Sequence, residues 1–366
     1  MPSPGELMSI LARSTTAFLA MLAVSIASGG NDWTDHQLEI AARLDKGPGN
    51  ITVTPAGRII VSLHQFFGHD ARVVAVEPDG TLTEIATAAA LDSVLGLQAD
   101  ANGVIWLLDN AMRDGGTRRL VGWHSVQDRL VSDIDLSASS VAASFLNDLA
   151  VDTERGFAYI ADPASGSDAA IIVVNLSDGS ARRVLQGHTS VVAEDVDLVI
   201  DGVPVRIRQG DGSLLRPRVG VNPIALDAQG DWLYFGPMHG HAMYRVETRH
   251  LRNPAISAEV LANNVERWAE KPISDGISID RDGNLYLGDL ANNAIGVIDA
   301  DANYRQLVTD PRLSWIDAFS FAPDGRLYTL ANQLHRTAVL NGGEAATVPP
   351  FLILRLQPLA PGISGR

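Results

Sequence analysis

The chain has 366 residues, 46% of them hydrophobic and 19% charged, enough for two ordinary domains or one large closed architecture with a sizeable core. A formal net charge of −15 argues against a nucleic-acid partner, because neutralising phosphates requires a basic face. The absence of cysteine excludes thiolate nucleophiles, disulfide staples, zinc–thiolate sites and lipoprotein anchors.

Arg13 precedes the apolar run Ala17 to Ala27 (AFLAMLAVSIA), which is followed by Ser28, Gly29 and Gly30. This is the layout of a secretory signal peptide. The run is shorter than the roughly 20 residues a membrane span needs, and no later segment approaches that length. The reading is therefore a leader over residues 1–28, a mature domain over 31–360, secreted or periplasmic localisation, and no stable membrane insertion once the leader is removed.

From there one pattern recurs six times, as a short alternating strand, a turn and a second strand. The copies are GNITVTPAGRIIVSLHQ from Gly49, LGLQADANGVIWLLDN from Leu95, NDLAVDTERGFAYIAD from Asn147, NPIALDAQGDWLYFGP from Asn222, DGISIDRDGNLYLGDL from Asp275 and DAFSFAPDGRLYTLAN from Asp317. Period-two alternation marks strands, and the pairs Asn102-Gly103, Gln229-Gly230, Asp282-Gly283 and Asp324-Gly325 supply tight hairpin turns. Each copy is followed by a further two-strand stretch, such as IIVVNLSDGSARRVL after the third. Four antiparallel strands per repeat make a blade, and six of them predict an all-β, six-bladed β-propeller.

The interval between the third and fourth copies is the longest, and its extra residues fall at about 187–220, with a hairpin signal at Asp201-Gly202. The last copy finds only three strands before the chain runs out, the third being Phe351 to Gln357. The N-terminal stretch His36 to Leu44 reads as the strand that closes the ring.

In an antiparallel blade the start of the first strand lies beside the end of the second, so one face of the ring collects both sets of residues. The starts supply Asn147, Asp148, Asn222, Asp275 and Asp317. The ends supply His64, Asp109, Asp162, Asp289 and Asn332, with His239 and His241 just past the fourth. Carboxylates and carboxamides converging on one axis form an oxygen-rich cage suited to a hard cation such as Ca2+, with Asn147, Asn222 and Asp275 as ligands. Asp and Asn equally cap turns, and that structural role is the expectation for Asp109, Asp162 and Asp289. His64, His239 and His241 are the candidate catalytic bases, since a near-neutral imidazole accepts protons. Asp148, Asp317 and Trp315 are candidate ligand contacts, with Trp268 and Trp315 as candidate apolar walls. No nucleophile elbow, phosphate loop or His-Glu-x-x-His motif is present.

The segments FLNDLAVD at Phe145, AYIAD, IIVVNLSDGSARRVL, GVNPIALD with LYFGPMHG, and SDGISIDRDGNLYLGD resemble the major royal jelly/Yellow protein family. The resemblance covers nearly all of the chain after the leader. It implies a secreted six-bladed propeller, with dopachrome conversion in some members and ligand-binding or nutritive roles in others. A more distant similarity to the gluconolactonase/regucalcin superfamily implies a channel metal held by a Glu, an Asn and an Asp. Asn222 and Asp275 match two of these positions and Asn147 a further channel position, whereas Gly49 and Asn50 stand where the Glu is expected. Two functions follow: an enzyme on a small cyclic or aromatic substrate, tautomerase-like or lactonase-like, or a non-catalytic secreted small-molecule-binding protein using the same mouth.

Overall fold

The computed structural model describes residues 38–85 and 90–366. The expected leader over 1–28, and His36 of the expected closing strand, lie outside the described residues. Six four-stranded antiparallel sheets form the body. Their first strands are Pro48–Val53, Val94–Ala99, Leu149–Asp152, Val221–Leu226, Ile277–Ile279 and Ile316–Phe321. Each packs on the first strand of the next sheet, and the sixth packs on the first, so the blades close a ring with these strands innermost. The sixth blade takes its outermost strand from Glu39–Leu44, which pairs antiparallel with Phe351–Leu356. The chain therefore folds as the six-bladed propeller that its repeats predict.

The hairpins form where the turn glycines sit: Gly103, Gly230, Gly283 and Gly325 have φ of 78°, 71°, 84° and 80°, a region that costs glycine nothing. An Asp at the end of the innermost strand fastens the turn. Asp280 accepts from the backbone of Asp282 and Asn284 at 3.0 and 2.9 Å and from the Tyr286 hydroxyl at 2.9 Å. Asp100 does the same for Asn102, Val104 and the Trp106 indole.

Between blades, the apolar faces form buried clusters, such as Tyr159, Ile171, Leu233 and Phe235 between the third and fourth. Two additions break the repeat. The insertion carries two short hairpins, Val199–Ile200 with Val203–Pro204 and Ile207–Arg208 with Leu214–Leu215, and bridges Arg206 to Asn341 of the sixth-blade loop. Two short helices, Thr248–Arg252 and Ala258–Asn263, interrupt the fourth blade, the second capped by Ser257 accepting from the Val260 N–H. Among the described residues no helix is long and apolar enough to cross a membrane.

Residues 362–366 lie across one end of the channel. Gly365 and Arg366 exchange backbone bonds with Phe321 at 2.9 and 2.7 Å, and the Gly365 carbonyl accepts from Thr52 Oγ1 at 2.9 Å. Arg366 Nη1 reaches the Asp227 carbonyl at 3.1 Å. One segment thus ties together the sixth, first and fourth blades.

Candidate functional site

At the opposite end of the channel the innermost strands begin irregularly. The pairing of first and second strands slips between Pro48 and Ile51, Val94 and Leu97, Val221 and Ile224, and Ile316 and Phe319. Asn50, Asn222 and Asp317 fall inside these slips. An irregularity of this kind leaves a residue unpaired and re-aims its side chain, which explains why polar groups gather at this end. Gly276 serves the same place: a Cβ there would collide with the Asp317 carbonyl, and the Gly276 N–H donates to that carbonyl at 2.7 Å. Glycine lets the fifth blade approach the sixth closely just after Asp275.

A cavity of about 470 Å³ opens here, with Asn147, Asn222, Asp275, Asp317, His64, His239 and Trp315 among its lining residues. Asp148 faces a smaller void of about 40 Å³ further along the channel, together with Asn50 and Arg366.

The carboxyl groups are bound by neutral donors. Asp275 accepts from the Trp315 indole at 2.8 Å and from the Asn222 amide. Asp317 accepts from Asn332 Nδ2 at 2.6 Å, and Asp148 from Asn50 Nδ2 at 3.2 Å and the Leu149 N–H at 2.9 Å. Among the described residues, none of the three is in an ion pair with a lysine or arginine. Enclosure by the ring therefore raises all three: burial pushes Asp148 up to about 7. Burial together with the charge of Asp148 raises Asp275, and burial together with the charge of Asp275 raises Asp317. Asp148 and Asp317 keep partial exposure to the channel itself, while Asp275 is 5% exposed.

The histidines divide. His64 is buried, its Nδ1 accepts from the Phe66 N–H at 3.1 Å, and burial, with Arg113 nearby, lowers it to about 3. His239 is 1% exposed, its Nδ1 accepts from the Val219 N–H at 3.2 Å, and burial, with Lys271 nearby, lowers it to about 4. Both are neutral at physiological pH, and the accepting Nδ1 assigns the ring proton to Nε2. The Nε2 of His239 is buried without a partner. His241 does not join them. The segment Met238 to His241 is a bend rather than a strand, so the two histidines do not share a face, and His241 is exposed with Nδ1 3.3 Å from the Lys271 carbonyl.

Trp315 is not simply an apolar wall, since its N–H is used on Asp275. Trp268 lies away from the cavity, edge-on to Tyr234 at 4.8 Å and beneath Arg245. The second-strand aspartates are taken up by local bonds. Asp109 accepts from the backbone of Asp92 and Ser93, Asp162 from Ser144, Phe145 and Arg183, and Asp289 from Asn292, Tyr304 and Gln306.

Lys271 has no counterpart in the sequence reading. It is 3% exposed, and its ammonium donates to the carbonyls of Met238, Gly240 and Pro272 at 3.3, 2.9 and 3.1 Å. Burial lowers it to about 7. Two of those carbonyls flank His239, so the lysine pins the bend that carries the imidazole. A single Lys in a polar stretch reads as a solvated side chain, and only the fold reveals otherwise.

Among the described residues no group of three or more His, Cys, Asp or Glu side chains could hold a metal ion. A cation at the mouth would have to draw on carboxamide oxygens as well. Asn222 Oδ1 is such an oxygen: it is buried, has no partner, and belongs to the side chain that touches Asp275. A hard cation fits this donor set.

A family model described as major royal jelly protein matches residues 92–344. Major royal jelly protein 3 of Apis mellifera is 21% identical over 238 residues, covering 61% of this chain and 41% of the relative. Major royal jelly protein 2 of the same species is 21% identical over 286 residues, covering 73% and 57%. The chain thus spans about half the length of these curated relatives. Among solved structures, a gluconolactonase from Xanthomonas campestris superposes with a TM-score of 0.56 at 15% identity, covering 88% of this chain and 90% of that one. A calcium-binding protein, regucalcin, from Agrobacterium tumefaciens gives 0.56 at 13% identity, covering 90% and 97%. A luciferin-regenerating enzyme gives 0.57 at 13%, covering 90% and 98%. At such identities the structural similarity concerns the fold.

Proposed function

This chain belongs to the major royal jelly protein family, and from that premise we propose that it is an exported enzyme that moves protons on a small cyclic or aromatic substrate held at the channel mouth, as a tautomerase or lactone hydrolase does. The observation that carries this reading is the trio Asp148, Asp275 and Asp317. Three carboxyl groups from three blades are buried with neutral donors, Asp275 and Asp317 at the mouth and Asp148 further along the channel, and all are raised above the ordinary carboxylate range. Neighbouring carboxyls in that condition do not all ionise at once, so one can hold a proton while another accepts one.

The substrate carbonyl oxygen takes the Nε2–H of His239, whose position is fixed by Val219 and by the Lys271 cage. Asp317, when ionised, removes a proton from the adjacent carbon or from an attacking water, and a protonated neighbour returns it. Asn147, Asn222 and Asp275 would hold a divalent cation such as calcium, which when bound supplies polarisation of a carbonyl oxygen. The similarity in fold to a gluconolactonase and to a calcium-binding protein supports both the reaction class and the cation.

The test is turnover by purified protein, supplied with calcium, on a panel of lactones and dopachrome, beside Asp275→Asn. The wild type is expected to convert at least one class, and Asp275→Asn to lose that conversion. A wild type inert toward the whole panel would overturn the reading.

A further inference from the structure

The cavity at the mouth has two unlike halves. Its base is Asn147, Asn222, Asp275 and Asp317, while its wall includes Phe66, Phe145, Val205, Ile207, Met238 and Leu334. Val205 and Ile207 come from the insertion between the third and fourth blades, and Leu334 from the sixth-blade loop that the insertion bridges. The apolar wall continues into solvent. Leu215 and Val339 line the same cavity yet are 51% and 37% exposed, and the adjacent Leu214 is 54% exposed. Large aliphatic side chains left uncovered at the lip of an apolar pocket mark a surface that a ligand covers.

Size and polarity point the same way. A cavity of about 470 Å³ falls within the range of roughly 300–1,000 Å³ typical of pockets that enclose ligands larger than one small ring. Ser165, Arg216 and Arg218 also line the cavity, but a polyhydroxylated ring lodged against the aliphatic stretch of the wall would turn hydroxyls toward side chains that neither donate nor accept, and burying them unpaired is costly. At the polar end the structure offers a donor in want of an acceptor, the buried Nε2–H of His239.

We propose that this site takes an amphiphilic substrate: a cyclic ester or ketone whose carbonyl oxygen meets His239, and whose apolar substituent lies along the wall and leaves over Leu215 and Val339. This rests on the reading of the mouth as a site for cyclic carbonyl compounds and specifies which of them it accepts. The insertion is the specificity element, replacing the polar surroundings a sugar lactone needs with an apolar slot.

The experiment is a binding series by calorimetry on the full chain, using γ-butyrolactone, its derivatives bearing ethyl to octyl chains on the ring, and glucono-δ-lactone, with turnover of each measured in parallel. Wild-type affinity rises by about fourfold per added methylene until the wall is covered, and glucono-δ-lactone binds more weakly than the alkylated rings. Leu215→Asp and Val339→Asp, at exposed positions and checked by melting temperature, flatten the longer-chain part of the series. A flat series in the wild type, no binding by any member, tighter binding of glucono-δ-lactone, or a gain unaltered by both rim variants overturns the proposal. Chain-dependent binding without turnover of any compound retires the enzymatic reading and keeps the amphiphile site. Turnover without chain dependence does the reverse.

Discussion

The indole N–H of Trp315, in the loop leading into the sixth blade, donates to a carboxyl oxygen of Asp275 in the fifth at 2.8 Å. Trp315 holds a φ of 60°, a conformation that bulky residues rarely adopt, and stacks on His335 with ring centroids 6.0 Å apart. Backbone strain of this kind persists where surrounding structure over-determines it, and such places gather at functional sites. Trp315→Phe keeps a ring and removes the donor. Since that donor stabilises the ionised carboxylate, its loss raises Asp275 further, and the limb of any pH–rate profile that needs ionised Asp275 moves to higher pH. Stability falls by about 1–3 kcal/mol in urea unfolding. A pH profile identical to wild type would contradict the pairing.

Asp162 is fully buried, accepts from Ser144 Oγ at 2.6 Å and the Phe145 N–H at 2.8 Å, and pairs with Arg183. Asp162→Ala strands a largely buried guanidinium and two donors, with an expected loss of about 3–5 kcal/mol. Asp162→Asn keeps an acceptor and loses less. Urea unfolding of the two variants checks the order.

His64 links stability to pH. Its folded-state value is about 3 against an ordinary 6.5, so between those limits the unfolded chain binds more protons and stability rises with pH. The contribution is complete above pH 6.5 and is lost progressively as pH falls toward 3. His64→Asn removes the titration while retaining an oxygen for the Phe66 N–H. Its stability, measured from pH 7 to pH 4, is expected to fall less than that of wild type, by about 3 kcal/mol at the lower limit. Parallel curves would show that the imidazole is not held neutral by burial.

For the cation, binding to the folded state raises stability by about 2.7 kcal/mol at one hundred times the dissociation constant. Chelator-treated wild type should melt higher when calcium is restored, and Asn222→Ala and Asp275→Asn should each abolish the response. An unchanged wild-type melting curve at millimolar calcium would remove calcium from the site.

Much of the ring is written locally. Each innermost hairpin carries its own turn glycine, and in the second to fifth blades its own fastening aspartate, so the repeat can be read without knowing what packs on what. The site is half legible for the same reason: Asn147, Asn222, Asp275 and Asp317 sit at recognisable strand starts, and the fold brings all four to one cavity. Pro223 beside Asn222 carries the signal for the irregular pairing there, because proline cannot donate to a regular ladder. What stays hidden depends on contacts between distant segments. The insertion's pattern marks hairpins but not the face onto which they fold, and nothing near Lys271 announces the three carbonyls that enclose it.

Closure of the ring has a cost of a different kind. The sixth sheet joins residues 39–44 to residues 316–356, so its outermost pairing forms only after the rest of the described chain has come round. Contacts of such separation form slowly. Until then Phe351–Leu356, FLILRL, presents an unpaired edge with a single charge, the composition of a strand that recruits other chains. The pairing of Glu39 with Arg355 at 2.9 Å neutralises that one charge when the correct partner arrives. Self-association during folding, rather than loss of the finished ring, is the hazard that damage to residues 39–44 would expose.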